Sequence, residues 1–156
     1  MENDEAKLKV WESERQKLMD ARMKNRKLFA CALDWMRILE SGEDLLPYFR
    51  ERDCRKIGIY GAGELAEILI REMRRKNEVE IVGLIDQSAA ACREKFGLPV
   101  YLPEELAAIE DVDMIVVTAI TYFDAISEKL IRMRPEIPVV SLEGIVRKRI
   151  SEDCYE

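Results

Sequence analysis

The sequence predicts an α/β fold in which a parallel five-stranded sheet follows an N-terminal helical arm. Residues 56–150 alternate short β-branched runs with amphipathic stretches, which is typical of βαβ units. A glycine-rich turn directly follows the first of these runs. Residues 1–55 are instead rich in charge and helix formers, with a single glycine and a single proline. We therefore divide the chain into a helical arm, residues 1–55, and a sheet domain, residues 56–150.

One long helix is predicted for the arm, from about Glu5 to Glu40, because Ser41-Gly42 is a glycine C-cap signal. Its bulky apolar residues exceed what one small domain can cover. Several of them recur at heptad-like spacing in two groups, with Arg22 and Asn25 between the groups. The stripe comprises Leu8, Trp11 and Leu18, then Phe29, Ala32, Met36 and Leu39, and Trp35 adds to the apolar surplus.

A polar break within an apolar seam is one way in which coiled coils fix their register. A helix of this size is about 50 Å long and extends beyond a small domain. We therefore favour an arm that pairs with a second copy, which predicts a homodimer through the N-terminal helix. The alternative is an amphipathic helix that packs on its own domain.

The first βαβ unit is predicted from a short buried strand, Lys56–Tyr60, and a helix over Glu64–Lys76. That helix has an apolar face at i, i+3, i+4 and i+8, formed by Leu65, Ile68, Leu69 and Met73. The second strand spans Val79–Ile85 and ends at Asp86.

The remaining strands are predicted at Pro99–Tyr101, Asp113–Thr118 and Ile137–Ser141, and the second of them is the most apolar, which favours a central position. Helices are predicted from Pro103 to Ile109, from Thr121 to Arg134 and from Leu142 to about Ile150. Because such crossovers are right-handed, these elements predict a Rossmann-like sheet with strand order 3-2-1-4-5.

The strongest motif is the G-x-G-x-x-A turn between the first strand and the first helix of the sheet domain, Gly61-Ala62-Gly63-Glu64-Leu65-Ala66. Gly61 allows the tight turn, and Gly63 lets the backbone approach a phosphate without an intervening Cβ. The helix N-terminus then offers unpaired N–H groups to a pyrophosphate. Glu64 places a carboxylate there, which either points to solvent or weakens phosphate binding.

Asp86 supports a nucleotide, since an acid about 25 residues after the first glycine accepts hydrogen bonds from ribose hydroxyls. Gln87 follows it and no Arg adjoins it, which favours NAD over NADP. Thr118, Ala119 and Thr121 follow the fourth strand and are expected to flank the second ribose or a sugar. Tyr122 lacks the lysine four residues later that short-chain dehydrogenases pair with their tyrosine, and no catalytic residue can be nominated.

Composition excludes several classes of function. The net charge of −6 argues against nucleic acid as the main partner, and the absence of His removes His-based triads and metal sites. The four cysteines, Cys31, Cys54, Cys92 and Cys154, are far apart, so we expect reduced thiols and no metal. We expect no membrane span and no signal peptide, which predicts a cytoplasmic protein.

The stretch from Lys56 to about Val146 resembles small bacterial Rossmann-like domains of sugar-nucleotide and surface-polysaccharide biosynthesis. These are the N-terminal domains of sugar acyltransferases of the sialic-acid and bacillosamine type and of membrane-linked nucleotide-sugar dehydratases. The resemblance is carried by Ile59–Gly63, Val82–Asp86, Gly97–Val100 and Asp113–Val117. It implies binding of NAD or a UDP-sugar through Gly61, Gly63 and Asp86. The catalytic parts of both enzyme types are missing here, so neither activity transfers.

Three functions therefore stay open. The first is a stand-alone nucleotide-binding module, for NAD(H) or a UDP-sugar, accessory to a bacterial glycan pathway. The second is a small NAD-dependent sugar-nucleotide enzyme whose site forms only across a dimer. The third is a structural or interaction protein whose crevice is empty and whose helical arm is the working part.

Overall fold

The computed structural model describes residues 1–153, so Cys154 lies outside the described residues. The helices are α1 (Glu2–Glu40), α2 (Leu46–Arg50), α3 (Glu64–Lys76), α4 (Phe123–Met133) and α5 (Leu142–Asp153). The strands are β1 (Lys56–Tyr60), β2 (Glu80–Ile85), β3 (Glu94–Lys95), β4 (Leu98–Tyr101), β5 (Met114–Val117) and β6 (Val139–Ser141). The chain is thus an α/β protein, as predicted, with a long helix before the sheet.

The sheet has the order β3-β4-β2-β1-β5-β6 and is mixed. Its five parallel strands follow the predicted order, but the prediction of a purely parallel, five-stranded sheet is wrong. The additional strand β3 pairs antiparallel with β4 through a two-residue turn, Phe96-Gly97. Both turn residues have positive φ, 54° and 73°, as in a type I′ hairpin. Phenylalanine is atypical in such a turn, so the sequence carried no clear hairpin signal.

Three shorter elements also differ from prediction. Residues Pro103–Ala108 form a 3-10 helix instead of an α-helix, with i→i+3 bonds such as Ile109 N to Leu106 O, 3.2 Å. A 3-10 turn, Ile120–Tyr122, precedes α4. The last strand starts only at Val139, because Ile137 N donates to Arg134 O in a turn. Pro138 lacks a backbone N–H, so the chain just before Val139 cannot donate to a neighbouring strand at that position.

The sheet is covered on both faces. One face carries the larger core, to which α1, α2, α3 and α5 contribute residues such as Trp35, Phe49 and Leu69. The opposite face carries a smaller core, in which Leu106 and Leu130 pack with Ile115 of β5. Three layers with a buried central strand result, and the residues at strand ends are left to form the surface sites.

Helix α1 packs on the rest of the chain only through its later part. Cys31, Trp35 and Ile38 are buried in the larger core, whereas every described side chain from Met1 to Met23 is exposed. Trp35 is thus covered by the domain, and its indole N–H bonds Glu72 of α3, although the sequence analysis counted it in the apolar surplus. The remaining apolar stripe is mostly exposed, with Leu18 and Phe29 each at 69%. No helix in the described part of the chain is long and apolar enough to cross a membrane.

Glu72 of α3 is a buried carboxylate that joins α1 to the core. It is 2% exposed, and its Oε1 accepts a hydrogen bond from Trp35 Nε1 at 3.0 Å. Burial raises the pKa of Glu72, the Trp35 hydrogen bond opposes that rise, and the Asp44 carboxylate adds to it. The folded protein therefore holds this proton to a higher pH than the unfolded chain does.

Replacing Glu72 with Gln should remove one pH-dependent loss of stability. Because the folded-state pKa of Glu72 is raised, its ionisation lowers the free energy of unfolding as pH rises above about 4.5. Gln keeps a carbonyl acceptor for Trp35 but does not ionise. Urea denaturation between pH 4 and pH 8 should show Glu72→Gln gaining stability relative to wild type as pH rises. Exposed Glu128→Gln is the control, and a pH-independent difference for Glu72→Gln would contradict the assignment.

Candidate functional site

A crevice of about 420 Å³ lies at the carboxyl ends of the central strands. In the sheet register, Tyr60 of β1 lies level with Ile85 of β2 and Val117 of β5. The residues that follow these strands therefore converge on one place. The crevice, here called the glycine-turn crevice, is lined by Leu28, Gly61, Ala62, Gly63, Glu64, Leu65, Asp86, Thr118 and Ala119. It brings together eight of the ten residues that the sequence nominates.

The other two nominated residues lie outside this crevice. Gln87 is exposed in the 3-10 turn that follows Asp86. Thr121 lines a separate pocket of about 240 Å³, here called the β6 pocket, together with Lys27, Ser141 and Arg147 among others. The sequence analysis predicted that an α-helix starts at Thr121. The chain instead forms a 3-10 turn at Ile120–Tyr122, and Thr121 lies in a different pocket from Thr118.

The two glycines of the motif have different roles. Gly61 has a φ of +119°, and a Cβ there would lie 2.3 Å from Thr118 Oγ1. The Thr118 hydroxyl is held in place by donating to Tyr60 O at 3.1 Å. Gly63 is the N-cap residue of α3, with ordinary negative φ, and a Cβ there would meet no atom within 4 Å. The fold requires Gly61, whereas Gly63 leaves open space at the start of a helix.

The electrostatics of the α3 N-terminus combine attraction and repulsion. Gly63 supplies no side-chain cap, so the first N–H groups of α3 keep their capacity to bind an acceptor. Glu64 is exposed and lines the crevice at the same point. It contributes a negative charge in the first turn, which stabilises the helix dipole. An anionic ligand here therefore needs a cation from another element.

Lys95 places a cation next to the glycine turn, and the sequence analysis missed it. Its Nζ donates to Ala62 O at 2.6 Å, so strand β3 places an ammonium group directly on the glycine turn. The hairpin that positions Lys95 is held by Arg74, whose Nη2 donates to Phe96 O at 2.9 Å. Gly97 is the one local signal for the hairpin that carries Lys95, and it is weak because Phe96 is atypical in such a turn.

Asp86 lies at the end of β2, as the sequence predicts. Its Oδ2 accepts from Ser88 N at 3.0 Å and so caps the following 3-10 turn. A carboxylate has about four acceptor positions, so this bond leaves capacity for a ligand. Burial raises the pKa of Tyr60, and the Asp86 and Glu104 carboxylates add to that rise, which keeps this neighbouring phenol protonated.

Helix α1 forms one wall of the crevice, which the sequence also did not show. Leu28 lines the crevice directly. One turn earlier, Lys24 Nζ lies 2.7 Å from the Tyr122 hydroxyl and 4.5 Å from the centre of its ring. The sequence analysis assigned residues 1–55 to a separate arm and so did not predict the contacts of Lys24 and Leu28 with the sheet domain. No local sequence pattern indicates where a helix docks.

The cysteines of the described residues, and Asp113, are not among the residues that line the crevice. Cys31 and Cys54 are buried free thiols, and burial raises the pKa of each to about 11. Cys92 is free and exposed. Asp113 binds the backbone N–H groups of Arg55 and Lys56 at the amino edge of the sheet, each at 2.9 Å. Residues 1–153 contain no described cluster of three or more Cys, Asp or Glu able to hold a metal ion.

Comparison with known protein families places residues 53–137 in a family model described as C2185-like, N-terminal. The matched segment covers more than half of the chain and runs from before β1 to just before β6. It includes the glycine turn, Asp86, Lys95 and Thr118, whereas Lys24 and Leu28 of α1 lie outside it. No curated protein matches the chain.

The two glycines should respond differently to alanine. Gly61→Ala meets both a left-handed backbone and the Thr118 hydroxyl, so it should lower the free energy of unfolding by about 1–3 kcal/mol or more. Gly63→Ala should cost less than about 1 kcal/mol, because its Cβ enters open space and only the N-cap preference is lost. Urea denaturation of both variants measures this difference. Equal stabilities would contradict the distinction.

Proposed function

The chain belongs to the C2185-like N-terminal family, and we propose that it is a nucleotide-binding domain. Its ligand class is NAD(H) or a UDP-sugar, bound at the glycine-turn crevice. The observation that carries the proposal is the open space at Gly63, where a strand, a glycine turn and a helix N-terminus meet without an occupying side chain. The Rossmann-like topology of the parallel strands supports it, since such folds bind ligands at this edge.

The polar groups around the turn match the parts of a nucleotide. Diphosphate oxygens bind the first N–H groups of α3, and the Lys95 ammonium compensates for their charge and that of Glu64. Asp86 accepts hydrogen bonds from the ribose hydroxyls while it keeps its bond to Ser88 N. Each group lies on a different element, so only the folded chain assembles the site.

We propose that the glycine-turn crevice binds its nucleotide without catalysing a reaction. Its described lining offers the carboxylates Glu64 and Asp86 and the Thr118 hydroxyl, and the latter two are already used in structural hydrogen bonds. A small NAD-dependent enzyme completed across a dimer is the second candidate, because a partner would have to supply the missing groups. The accessory role in a cytoplasmic glycan pathway rests on the sequence resemblance alone.

We also propose that the chain forms a homodimer through the exposed half of α1. The stripe of Leu8, Trp11, Leu18 and Phe29 is solvent-exposed along a helix of 39 residues, which is about 58 Å long. Such a face needs another surface to cover it, and a specific dimer buries about 800 Å² per partner. A two-fold pair of these helices provides an interface of that kind.

Gly63→Val should abolish nucleotide binding and leave the fold intact. The branched side chain occupies the space that a phosphate must enter, but it meets no protein atom at its Cβ. Calorimetric titration of NAD, UDP and a UDP-sugar into the full chain measures the effect. Gly144→Val is the matched control, since a Cβ at that exposed glycine also enters open space, but outside the glycine-turn crevice. An unchanged nucleotide affinity of Gly63→Val would refute the assignment of the nucleotide site to the glycine-turn crevice.

Asp86→Asn should weaken nucleotide binding without abolishing it. It retains an acceptor for Ser88 N and removes the charge, so binding should weaken by about 1–3 kcal/mol if Asp86 holds a ribose diol. If none of the tested nucleotides binds the wild-type chain, the third function is favoured, a structural or interaction protein whose crevice is empty.

Leu18→Glu should dissociate the dimer. Leu18 lies on the apolar stripe, whereas Met23, which is exposed to a similar extent, lies off it. A charge on the stripe must be desolvated in the dimer, so Leu18→Glu should shift the full chain towards monomer by at least tenfold in dissociation constant. Met23→Glu is the control and should leave association unchanged. Sedimentation equilibrium measures both, and a monomeric wild-type chain at tens of micromolar would refute the dimer.

A further inference from the structure

The charges of helix α1 are unevenly distributed along its length. Residues 2–14 contain five acidic and two basic residues, whereas residues 15–28 contain six basic residues and one acidic residue. The described side chains of the first segment are all exposed, and so are most of those in the second. A parallel pair of α1 helices sets each segment against its own kind, whereas an antiparallel pair sets the acidic segment of one copy against the basic segment of the other.

We propose that two copies of the chain pair through α1 in antiparallel orientation, with Leu8 of each copy against the partner's Leu18. The inference rests on the proposed homodimer and adds its orientation and register. In this register residues 3–23 of the two copies lie side by side. Every side chain of that segment is exposed in the single chain, so the pairing requires no rearrangement of the sheet domain.

The apolar residues of the stripe meet suitable neighbours in this register. Leu8 and Leu18 are 54% and 69% exposed in the single chain, and each covers the other across the pair. Because stripe positions recur at intervals of three and four residues, the same register places Trp11 beside the partner's Arg15. Within one helix the Arg15 guanidinium already lies 5.6 Å from the centre of the Trp11 ring. A guanidinium over an indole is a favourable contact, and the pair shields it from water.

The charged residues at stripe positions distinguish the two orientations. Asp4, Arg15 and Arg22 continue the spacing of the stripe. The antiparallel register sets Asp4 of each copy against the partner's Arg22, which forms an ion pair at each end of the contact. A parallel pair instead sets every residue against its own copy, so that Asp4, Arg15 and Arg22 would each meet a like charge.

A longer antiparallel overlap is opposed by charge. Sliding the helices until Trp11 meets the partner's Phe29 would cover one more aromatic ring. It would also lay residues 15–25 of one copy along the same residues of the other, and that segment contains four basic residues and one acidic residue. The shorter overlap avoids this repulsion, and Phe29 then lies beyond the paired segment.

The antiparallel pair keeps the two glycine-turn crevices apart. Each sheet domain is anchored to α1 through Cys31, Trp35 and Ile38, so the two domains lie at opposite ends of the pair. Leu28, which borders the crevice, lies about 45 Å along the helix axis from the partner's Leu28. That distance exceeds the diameter of a domain of about 100 residues. The partner's sheet domain therefore does not complete the crevice, which favours a binding module with two independent sites over an enzyme completed across the dimer.

Disulfide cross-linking of the full chain tests the orientation. Cys92 and Cys154 are first replaced by Ser, and the two other native thiols are buried. Leu8→Cys and Leu18→Cys are then made in separate chains, one of which carries a size tag. Under mild oxidation the mixture should give the cross-linked heterodimer as its main product. Either variant alone should give little, because identical positions of the antiparallel pair lie about 15 Å apart along the axis, too far for a disulfide.

The outcomes separate the orientation from the dimer itself. Efficient cross-linking of each variant with itself, and not with the other, overturns the antiparallel pair but preserves the homodimer. Absence of any cross-link, while sedimentation equilibrium shows that the wild-type chain and the reduced variants associate, also overturns the proposed register. A monomeric wild-type chain at tens of micromolar overturns both the homodimer and its orientation.

Charge reversal at the ends of the contact tests the register without changing an apolar residue. Asp4→Arg and Arg22→Asp should each raise the dissociation constant of the dimer about fivefold, because each variant sets two pairs of like charges against each other. The double variant restores both ion pairs and should return the dissociation constant to within about twofold of wild type. Lys17→Asp, at an exposed position off the stripe, is the control for Arg22→Asp and should have little effect. Sedimentation equilibrium measures all four, and a double variant that dimerises no better than the single variants overturns the register.

Discussion

The close approach of Gly61 to Thr118 is the constraint on which the rest of the site depends. Only a glycine fits between the end of β1 and the hydroxyl that follows β5, because a Cβ would lie 2.3 Å from Thr118 Oγ1. The chain therefore leaves β1 in a turn that no other residue type adopts easily. That turn starts α3 at Gly63 and leaves its N-terminus uncovered beside Asp86. The opening at Gly63 is thus a consequence of tight packing one step earlier in the chain.

The site also depends on parts of the chain that lie far apart in sequence. Lys95 comes from a short antiparallel hairpin at the sheet edge, and Leu28 comes from a helix outside the family-matched segment. The family segment supplies the turn, the acid and the cation, whereas α1 supplies a wall.

Much of the fold could be predicted because periodicity and glycine spacing are local signals. The apolar face of Glu64–Lys76 and the run Met114–Val117 each identified an element, and their alternation gave the order of the parallel strands. Lys95 could not be predicted, since Phe96 adopts a positive φ (54°) that its residue type does not suggest. The wall at Leu28 was missed for a different reason. Docking of a helix depends on tertiary packing around Trp35 and Glu72, which no spacing rule encodes.

Helix α1 contains no glycine and no proline from Glu2 to Glu40, so it has no built-in hinge. Its exposed half and its crevice wall are therefore parts of one stiff rod, anchored at Cys31, Trp35 and Ile38. A force applied near Trp11 acts at a distance of about 30 Å from that anchor and tilts the whole rod. The segment around Leu28 lies between the two points and must move with them. The helix is, in mechanical terms, a lever that is anchored in the core and borders the glycine-turn crevice at Leu28.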